Sequence, residues 1–230
     1  MSNDKSIVRN GRRAIVLIVL IIVIAAGLIY FVERRQDASR EDGRPAAAAS
    51  GFQNDPYIGN PQAPVTIEVW FDYQCPFCKR LEENTLPALI KDYVQSGKAK
   101  IIFKDFAFVG PDSRTASLIA RAVWDAAPDK FYAYHQAVFA RQDSENSGWG
   151  SQEDLLSLVQ TIPGLDSGLV KSLLDAKNNT YQSAIDSDLD TAKKLGLRSA
   201  PTIIIGKQIL VGAQPYSSLS QLIDLELVKK

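Results

Sequence analysis

The chain of 230 residues contains two cysteines, and they lie three positions apart, at Cys75 and Cys78. Residues 65–71 before them are apolar and β-favouring, whereas residues 79–84 after them have the composition of a helix. A Cys-x-x-Cys pair that joins a strand to the start of a helix is typical of a thiol redox site. The free N–H groups and partial positive charge at the helix start favour a thiolate at Cys75. Cys78 lies on the same helical face, where it can close a small disulfide ring.

Two other interpretations of the pair are a zinc site and an inert structural disulfide. A structural zinc ion takes about four ligands, and the chain offers no third cysteine and a single histidine, His135, which lies 57 residues after Cys78. A disulfide across so short a loop removes little entropy from the unfolded chain, so it stabilises the fold weakly. The sequence therefore favours redox chemistry at the pair.

Residues 14–32 form a run of 19 residues without a charge, which is long enough to span a bilayer as a helix. The competing interpretation is a cleaved signal peptide, whose apolar core is about 7–15 residues long and is followed by small residues. Here the apolar run continues through residues 28–32, beyond the small residues at 25–27. We therefore predict a basic flank at 1–13 and a retained transmembrane anchor at 14–32.

The positive-inside rule does not decide the orientation of this anchor. Four basic residues precede it and four follow it: Lys5, Arg9, Arg12 and Arg13 before, and Arg34, Arg35, Arg40 and Arg44 after. A chain whose only cysteines form one redox pair suits a compartment in which thiols oxidise, so we expect the C-terminal domain outside the cytoplasm. The formal net charge is zero, and no basic stripe indicates a nucleic-acid partner.

Residues 33–63 are charged, then alanine-rich, then turn-rich, and they predict a linker before a folded domain at 64–230. Hydrophobic periodicity predicts strands at 65–71, 100–106, 202–205 and 208–211. It predicts helices at 113–126, 131–142, 152–160, 167–176, 181–195 and 217–228, after a cysteine helix that begins near 76 and is interrupted at Pro87. His135 shares a helical face with apolar residues, which predicts a residue at the edge of the core with one nitrogen hydrogen-bonded.

Three separated segments, in this order, resemble the DsbA-like thiol-disulfide oxidoreductases: Phe71–Lys79, Ser199–Thr202 and Val211–Tyr216. The resemblance implies an α/β thioredoxin fold with an inserted helical domain at about 111–195, here preceded by one transmembrane helix. It implies extracytoplasmic protein substrates with cysteines and a quinone-linked membrane partner that re-oxidises the enzyme. It implies no metal and no cofactor beyond the redox-active disulfide, and we expect a monomer.

The resemblance also assigns roles to the residues at the cysteine pair. It implies that Cys75 is the exposed, attacking cysteine and that Cys78 is the buried, resolving one. Pro76 and Phe77 match the variable dipeptide that tunes the redox potential. Because relatives that are strong oxidants often carry a histidine in this dipeptide, Phe77 provides only apolar contact where they have a charge. We still expect a lowered pKa for Cys75.

Pro201 matches the cis-proline of the family, and Ala200 the residue before it, where valine or threonine is more usual. The resemblance implies that both face the cysteine pair and bind the substrate, which would pair there as an added strand.

Many relatives carry a buried glutamate six residues before the first cysteine, a position that Val69 occupies here. Glu68 is one step away, and a shift of one residue in a strand turns a side chain to the other face, so we expect Glu68 to be exposed. Asp72 does match the family, and it has two interpretations. It acts as a proton relay for Cys78, or it is a loop aspartate that binds nearby amides.

The resulting hypothesis is a disulfide oxidant that transfers the Cys75–Cys78 disulfide to client proteins. A reductase or isomerase on the same scaffold is the close alternative, because the reduction potential sets the direction of electron flow. A non-catalytic peptide-binding module is the alternative from another class.

Overall fold

The computed structural model describes residues 55–229, and a mixed sheet lies at the centre of this part of the chain. Its strands lie in the order β1-β3-β2-β4-β5. Their bounds are β1 (Tyr57–Ile58), β2 (Val65–Phe71), β3 (Ala99–Asp105), β4 (Thr202–Ile205) and β5 (Gln208–Val211). Strand β2 runs parallel to β3 and antiparallel to β4, and β4 and β5 form a hairpin. The α/β thioredoxin-like fold predicted from the sequence is thereby confirmed.

Strand β2 carries the cysteine pair at its C-terminal end, and it lies in the middle of the sheet. Its residues Ile67, Val69 and Trp70 are all buried, as expected for a central strand that is covered on both faces. The β-branched and aromatic residues of this strand fit a pleated, packed surface. The strand therefore gives the redox pair a rigid base.

Helices cover the sheet, and those between residues 111 and 194 lie in the predicted insertion. The helix bounds are α1 (Pro76–Asn84), α2 (Leu86–Leu89, continued by a π-helical turn at Ile90–Val94), α3 (Pro111–Ala126), α4 (Phe131–Arg141), α5 (Gln152–Gln160), α6 (Ser167–Lys194) and α7 (Tyr216–Val228). Helix α1 ends at Asn84, and α2 begins with Pro87 in its first turn. The interruption predicted at Pro87 is confirmed, because proline fits a first helical turn and breaks a helix interior.

The sequence predicted two helices where the structure has one, α6. Its buried residues Val170, Leu174, Tyr181 and Ile185 continue one apolar stripe through the predicted break. The polar residues at 177–180 lie mainly on the solvent side, where they cost a helix little. The predicted linker also extends too far, because Tyr57–Ile58 pairs with β3 and the Tyr57 ring lies 5.2 Å from that of Trp124. The folded part therefore begins before Pro64.

An ionic cluster joins the helical insertion to the sheet. The Arg121 guanidinium of α3 donates to the carboxylates of Asp105 in β3 at 2.7 Å and of Asp188 in α6 at 2.8 Å. The Lys104 ammonium binds Asp188 as well as Asp55, which lies 2.6 Å away. Buried charges require such pairing, so this cluster fixes how α3 and α6 lie on β3.

The predicted anchor at 14–32 and most of the predicted linker lie outside the described residues. Between residues 55 and 229, no helix is long and apolar enough to cross a membrane.

Candidate active site

The two cysteines lie where β2 passes into α1. Cys75 occupies the position just before the first helical residue, and its carbonyl oxygen accepts from the amides of Cys78 at 3.0 Å and Lys79 at 3.2 Å. Both cysteines are free and buried, with 7% of Cys75 and 2% of Cys78 exposed, so the expectation that Cys75 is the exposed one was wrong. The helix start therefore lies directly at the Cys75 sulfur, as the sequence predicted.

The surroundings of Cys75 favour its thiolate. A hydrogen bond from the Cys78 thiol lowers the pKa of Cys75 to about 7, with help from the amides of Cys78 and Phe77 and against the effects of burial and the Asp72 charge. This is the direction that the sequence predicts. At neutral pH about half of the Cys75 population is then ionised, whereas a free cysteine with a pKa of about 8.5 is almost all thiol.

The surroundings of Cys78 have the opposite effect. Burial raises the pKa of Cys78 well above its usual value, and the charge of the Cys75 thiolate raises it further. The two sulfurs therefore differ strongly in acidity. Cys75 is suited to attack and to leave as an anion, whereas Cys78 holds its proton.

The Ala200–Pro201 peptide bond is cis, as the resemblance implies. The Cys75 thiol donates to the carbonyl oxygen of Ala200 at 3.2 Å. The carbonyl oxygen of Pro201 is already bound by the amide of Gly212, at 2.7 Å. The turn before β4 thus places backbone polar groups beside the reactive sulfur.

Asp72 is buried, and four donors surround its carboxylate. One oxygen accepts from the Gln74 amide at 2.8 Å and from the Ser113 hydroxyl at 2.5 Å. The other accepts from the amides of Phe108 and Val109, both at 2.9 Å. Burial raises the pKa of Asp72 and these hydrogen bonds act against that rise. Asp72 therefore binds loop amides, as one interpretation expects, and its charge is also close enough to raise the pKa of Cys78.

The position of the buried family glutamate is apolar in this chain. Val69 is buried, whereas Glu68 is half-buried on the other face, and its carboxylate accepts from the Trp70 indole at 3.1 Å. The prediction that Glu68 is exposed was therefore wrong, although the register does turn its side chain to the face opposite Val69.

The dipeptide between the cysteines lies at the surface. Pro76 is exposed, Phe77 is 52% exposed, and the Arg80 guanidinium lies 5.0 Å from the centre of the Phe77 ring. Phe108, in the loop whose amides bind Asp72, is another exposed aromatic residue. Exposed aromatic side chains offer apolar contacts to an extended peptide.

His135 lies deeper than the sequence predicted. It is buried, and its ring lies 4.6 Å from that of Phe103. Its Nδ1 lies within hydrogen-bond distance of the Tyr73 hydroxyl, at 3.1 Å, whereas its Nε2 lies 3.3 Å from a Glu82 carboxylate oxygen that has no hydrogen-bond partner. The prediction of one hydrogen-bonded nitrogen is therefore confirmed, but the predicted place at the core edge was wrong, because the residue is fully buried. The apolar helical face was visible in the sequence, but its polar neighbours, Tyr73 in the loop after β2 and Glu82 in α1, were not.

Two glutamines that the sequence did not single out hold the loop before α1. Gln74 is fully buried, and its side chain donates to Ser113 at 2.9 Å and accepts from the Asn146 amide at 2.5 Å. Gln142 donates from its side-chain nitrogen to the carbonyl oxygens of Tyr73 at 2.6 Å and Cys75 at 3.2 Å. These contacts span long stretches of chain, so no local pattern indicates them.

In the described range, 55–229, no group of three or more His, Cys, Asp or Glu side chains is arranged to hold a metal ion. The chemistry that this site offers resides in the two sulfurs.

The family model described as thioredoxin matches residues 52–225. The chain is 28% identical over 191 residues to disulfide bond formation protein D of Bacillus subtilis, and the match covers 83% of this chain and 85% of that protein. The structure is similar to that of oxidised BdbD from Bacillus subtilis, with 28% identity, a TM-score of 0.70 and coverage of 77% of this chain and 95% of that chain. It is also similar to the thiol-disulfide exchange protein alpha-DsbA2 from Wolbachia pipientis, with 26% identity, a TM-score of 0.65 and coverage of 74% and 86%.

Proposed function

The chain belongs to the thioredoxin family and is a DsbA-like thiol-disulfide oxidoreductase, and on this premise we propose that it introduces disulfides into secreted or envelope proteins outside the cytoplasm. One observation carries the proposal. The pKa of Cys75 is lowered to about 7 while that of Cys78 is raised well above its usual value. Such a pair releases Cys75 as an anion and keeps Cys78 protonated, which favours donation of the disulfide.

In the proposed reaction the enzyme begins with a Cys75–Cys78 disulfide. A client thiolate attacks the Cys75 sulfur, so that the bond to Cys78 breaks and Cys78 leaves as a thiolate that takes up a proton. A second client thiolate attacks the client sulfur of this mixed disulfide, and Cys75 leaves as a thiolate. The client gains one disulfide and loses two protons, and its two electrons remain on the reduced pair.

Asp72 is the proposed proton carrier for Cys78. Its buried carboxylate has a raised pKa, and its charge acts on both sulfurs. A poised carboxyl group of this kind can supply the proton when Cys78 leaves and remove it when Cys78 attacks. Ala200 and Pro201, beside the Cys75 sulfur, would bind the client chain in extended form.

The proposed location and recycling rest on the sequence. An anchor at 14–32 would hold a monomeric domain on the outer side of the cell membrane. The reduced pair must then pass its two electrons onward, and a quinone-linked membrane protein is the proposed acceptor.

The close alternative is a reductase, because the reduction potential, and not the pKa of Cys75 alone, sets the direction of electron flow. A value of about 7 is near that of thioredoxin, at about 7, and far from that of DsbA, at about 3.5. A potential near that of thioredoxin, about −270 mV, would favour reduction, and one near that of DsbA, about −120 mV, would favour donation of the disulfide. Structural disulfides of secreted proteins have potentials below about −300 mV, so a donor must lie well above that value to oxidise the corresponding dithiols.

The proposal is tested by trapping clients on a Cys78→Ser variant and by oxidative refolding of a reduced, disulfide-containing protein. We expect Cys78→Ser to accumulate mixed disulfides through Cys75, and the oxidised wild-type protein to transfer its disulfide stoichiometrically. A wild-type protein inert in refolding and in a reductase assay, together with no trapped client, would instead identify a non-catalytic peptide-binding module.

A further inference from the structure

We propose that Gln142 is a positioning residue that fixes the direction of the Cys75–Pro76 peptide group and thereby holds the Cys75 sulfur against the first amides of α1. The inference rests on the proposed function, and it assigns to the helical insertion a direct part in that function. It depends on contacts that link one side chain of the insertion to the backbone on both sides of Gln74.

The side-chain nitrogen of Gln142 has two hydrogens, and each has an acceptor in the segment that joins β2 to α1. The acceptors are the carbonyl oxygens of Tyr73, at 2.6 Å, and Cys75, at 3.2 Å. A primary amide has two donor hydrogens on its nitrogen, so both are used by this loop. One side chain thus spans the residues on either side of Gln74.

Gln142 is itself held in place because it ends helix α4. Its backbone amide donates to the carbonyl oxygen of Phe139 at 3.2 Å, in the last turn. His135, seven residues earlier and therefore on the same helical face, lies 3.1 Å from the hydroxyl of Tyr73, and Tyr132 of the same helix donates to the carboxylate of Glu82 at 2.5 Å. Helix α4 is thereby attached to the chain before Cys75 and to the chain after Cys78.

The Cys75 carbonyl group matters because it begins α1. Its oxygen also accepts from the amides of Cys78 and Lys79. The amides of Phe77 and Cys78 bind the Cys75 sulfur and favour its thiolate. Since these groups belong to one turn, rotation of the Cys75–Pro76 peptide group would move the sulfur away from those amides.

The contribution of Gln142 is separable from the general stability of the loop. Gln74 and Asp72 hold the same loop through fully buried contacts with Ser113 and with the neighbouring loops. Gln142 is only half-buried, so water can reach the carbonyl groups when its side chain is replaced. Replacement of Gln142 should therefore allow the Cys75–Pro76 peptide group to rotate more freely and leave the fold intact.

The test measures the pKa of Cys75 from the pH dependence of its alkylation by iodoacetamide, which requires no client protein. Gln142→Met keeps the length of the side chain and removes both donors. Gln142→Glu keeps its shape and places a carboxylate against two carbonyl oxygens. The matched control is Gln160→Met, since Gln160 is an exposed glutamine at the end of the neighbouring helix α5.

We expect Gln142→Met to raise the pKa of Cys75 by about 0.5 to 1 unit, which lowers the alkylation rate at neutral pH several-fold, and Gln142→Glu to raise it more. Gln160→Met should match the wild-type profile. The thermal unfolding midpoint of each oxidised variant provides the second readout. A purely structural part for Gln142 would lower that midpoint and leave the alkylation profile unchanged.

Superimposable alkylation profiles for wild type and both Gln142 variants would overturn the inference, and they would leave the proposed function standing. A wild-type profile centred near the free-cysteine value of about 8.5 would instead remove the observation on which the proposed function depends. If Gln142→Met does not fold, the inference that its contribution is separable from the fold is likewise overturned.

Discussion

The thiol of Cys75 lies 3.2 Å from the carbonyl oxygen of Ala200, although 125 residues separate them in the chain. The contact brings the end of β2 and the turn before β4 together at one point. Because β2 and β4 are neighbouring antiparallel strands, the sheet itself fixes this distance. An extended client that pairs beside Ala200 would therefore have its own sulfur close to Cys75.

The first prediction concerns the pH dependence of Cys75. Because its pKa is lowered to about 7, its alkylation rate should rise about tenfold per pH unit below neutral pH and level off above it. Cys78, whose pKa is raised well above its usual value, should not react over this range. Mass spectrometry of the alkylated, reduced protein identifies the modified cysteine, and modification of Cys78 before Cys75 would reverse the assigned roles.

The second prediction concerns Asp72→Asn. The substitution removes a charge that raises the pKa of both sulfurs, so the pKa of Cys75 should fall. It also turns a side-chain NH₂ group towards amide donors, so we expect the free energy of unfolding to fall by about 1–3 kcal/mol. Alkylation profiles and denaturant unfolding measure the two effects.

The control for Asp72→Asn is Asp143→Asn, an exposed loop aspartate that should change neither quantity. If Asp72 also carries the Cys78 proton, Cys78 should resolve a mixed disulfide more slowly in Asp72→Asn than in the wild type. The rate in the variant should also depend less on pH. A resolution rate that is unchanged at every pH would leave Asp72 with its loop-binding part alone.

The third prediction concerns the ionic cluster around Arg121. Arg121→Met should lower the free energy of unfolding by about 3–5 kcal/mol, because it leaves the carboxylates of Asp105 and Asp188 buried without their guanidinium partner. Arg114→Met on the same helix removes an ion pair to Asp186 that is much more exposed, and such pairs contribute about 0–1 kcal/mol. Equal losses in the two variants would contradict this account of how the insertion is attached.

The fourth prediction concerns His135. His135→Phe fits an aromatic cluster but removes the partner of the Tyr73 hydroxyl and the imidazole beside the Glu82 carboxylate, which keeps its hydrogen bond from Tyr132, so we expect a loss of about 1–3 kcal/mol in unfolding free energy. Glu82→Gln added to His135→Phe should recover part of that loss, because it removes the buried charge. Strictly additive losses in the double variant would show that the two side chains are not coupled.

Much of the fold follows from local patterns in the sequence. Strand β2 has the predicted bounds because its apolar, β-branched run ends sharply at the loop before Cys75. Helix α1 begins and is interrupted where two prolines require it. The two-residue strand β1 has no such pattern, since its pairing with β3 depends on a neighbour more than 40 positions away.

The candidate site likewise has parts that a local sequence pattern predicts and parts that no such pattern indicates. The cysteine spacing and the segment around Pro201 were visible as motifs, and the structure places them together. Gln142 was not visible, because its acceptors are carbonyl groups 69 and 67 residues away, and any residue type supplies a carbonyl group. Positioning residues of this kind become apparent only when the chain is folded.

The reduction potential of the Cys75–Cys78 pair, measured by equilibration with glutathione, tests the central claim most directly. A pair that donates its disulfide through a stabilised Cys75 thiolate should have a potential above that of thioredoxin, about −270 mV, and towards that of DsbA, about −120 mV. A potential at or below about −270 mV, the thioredoxin value, would contradict the account and identify a reductase.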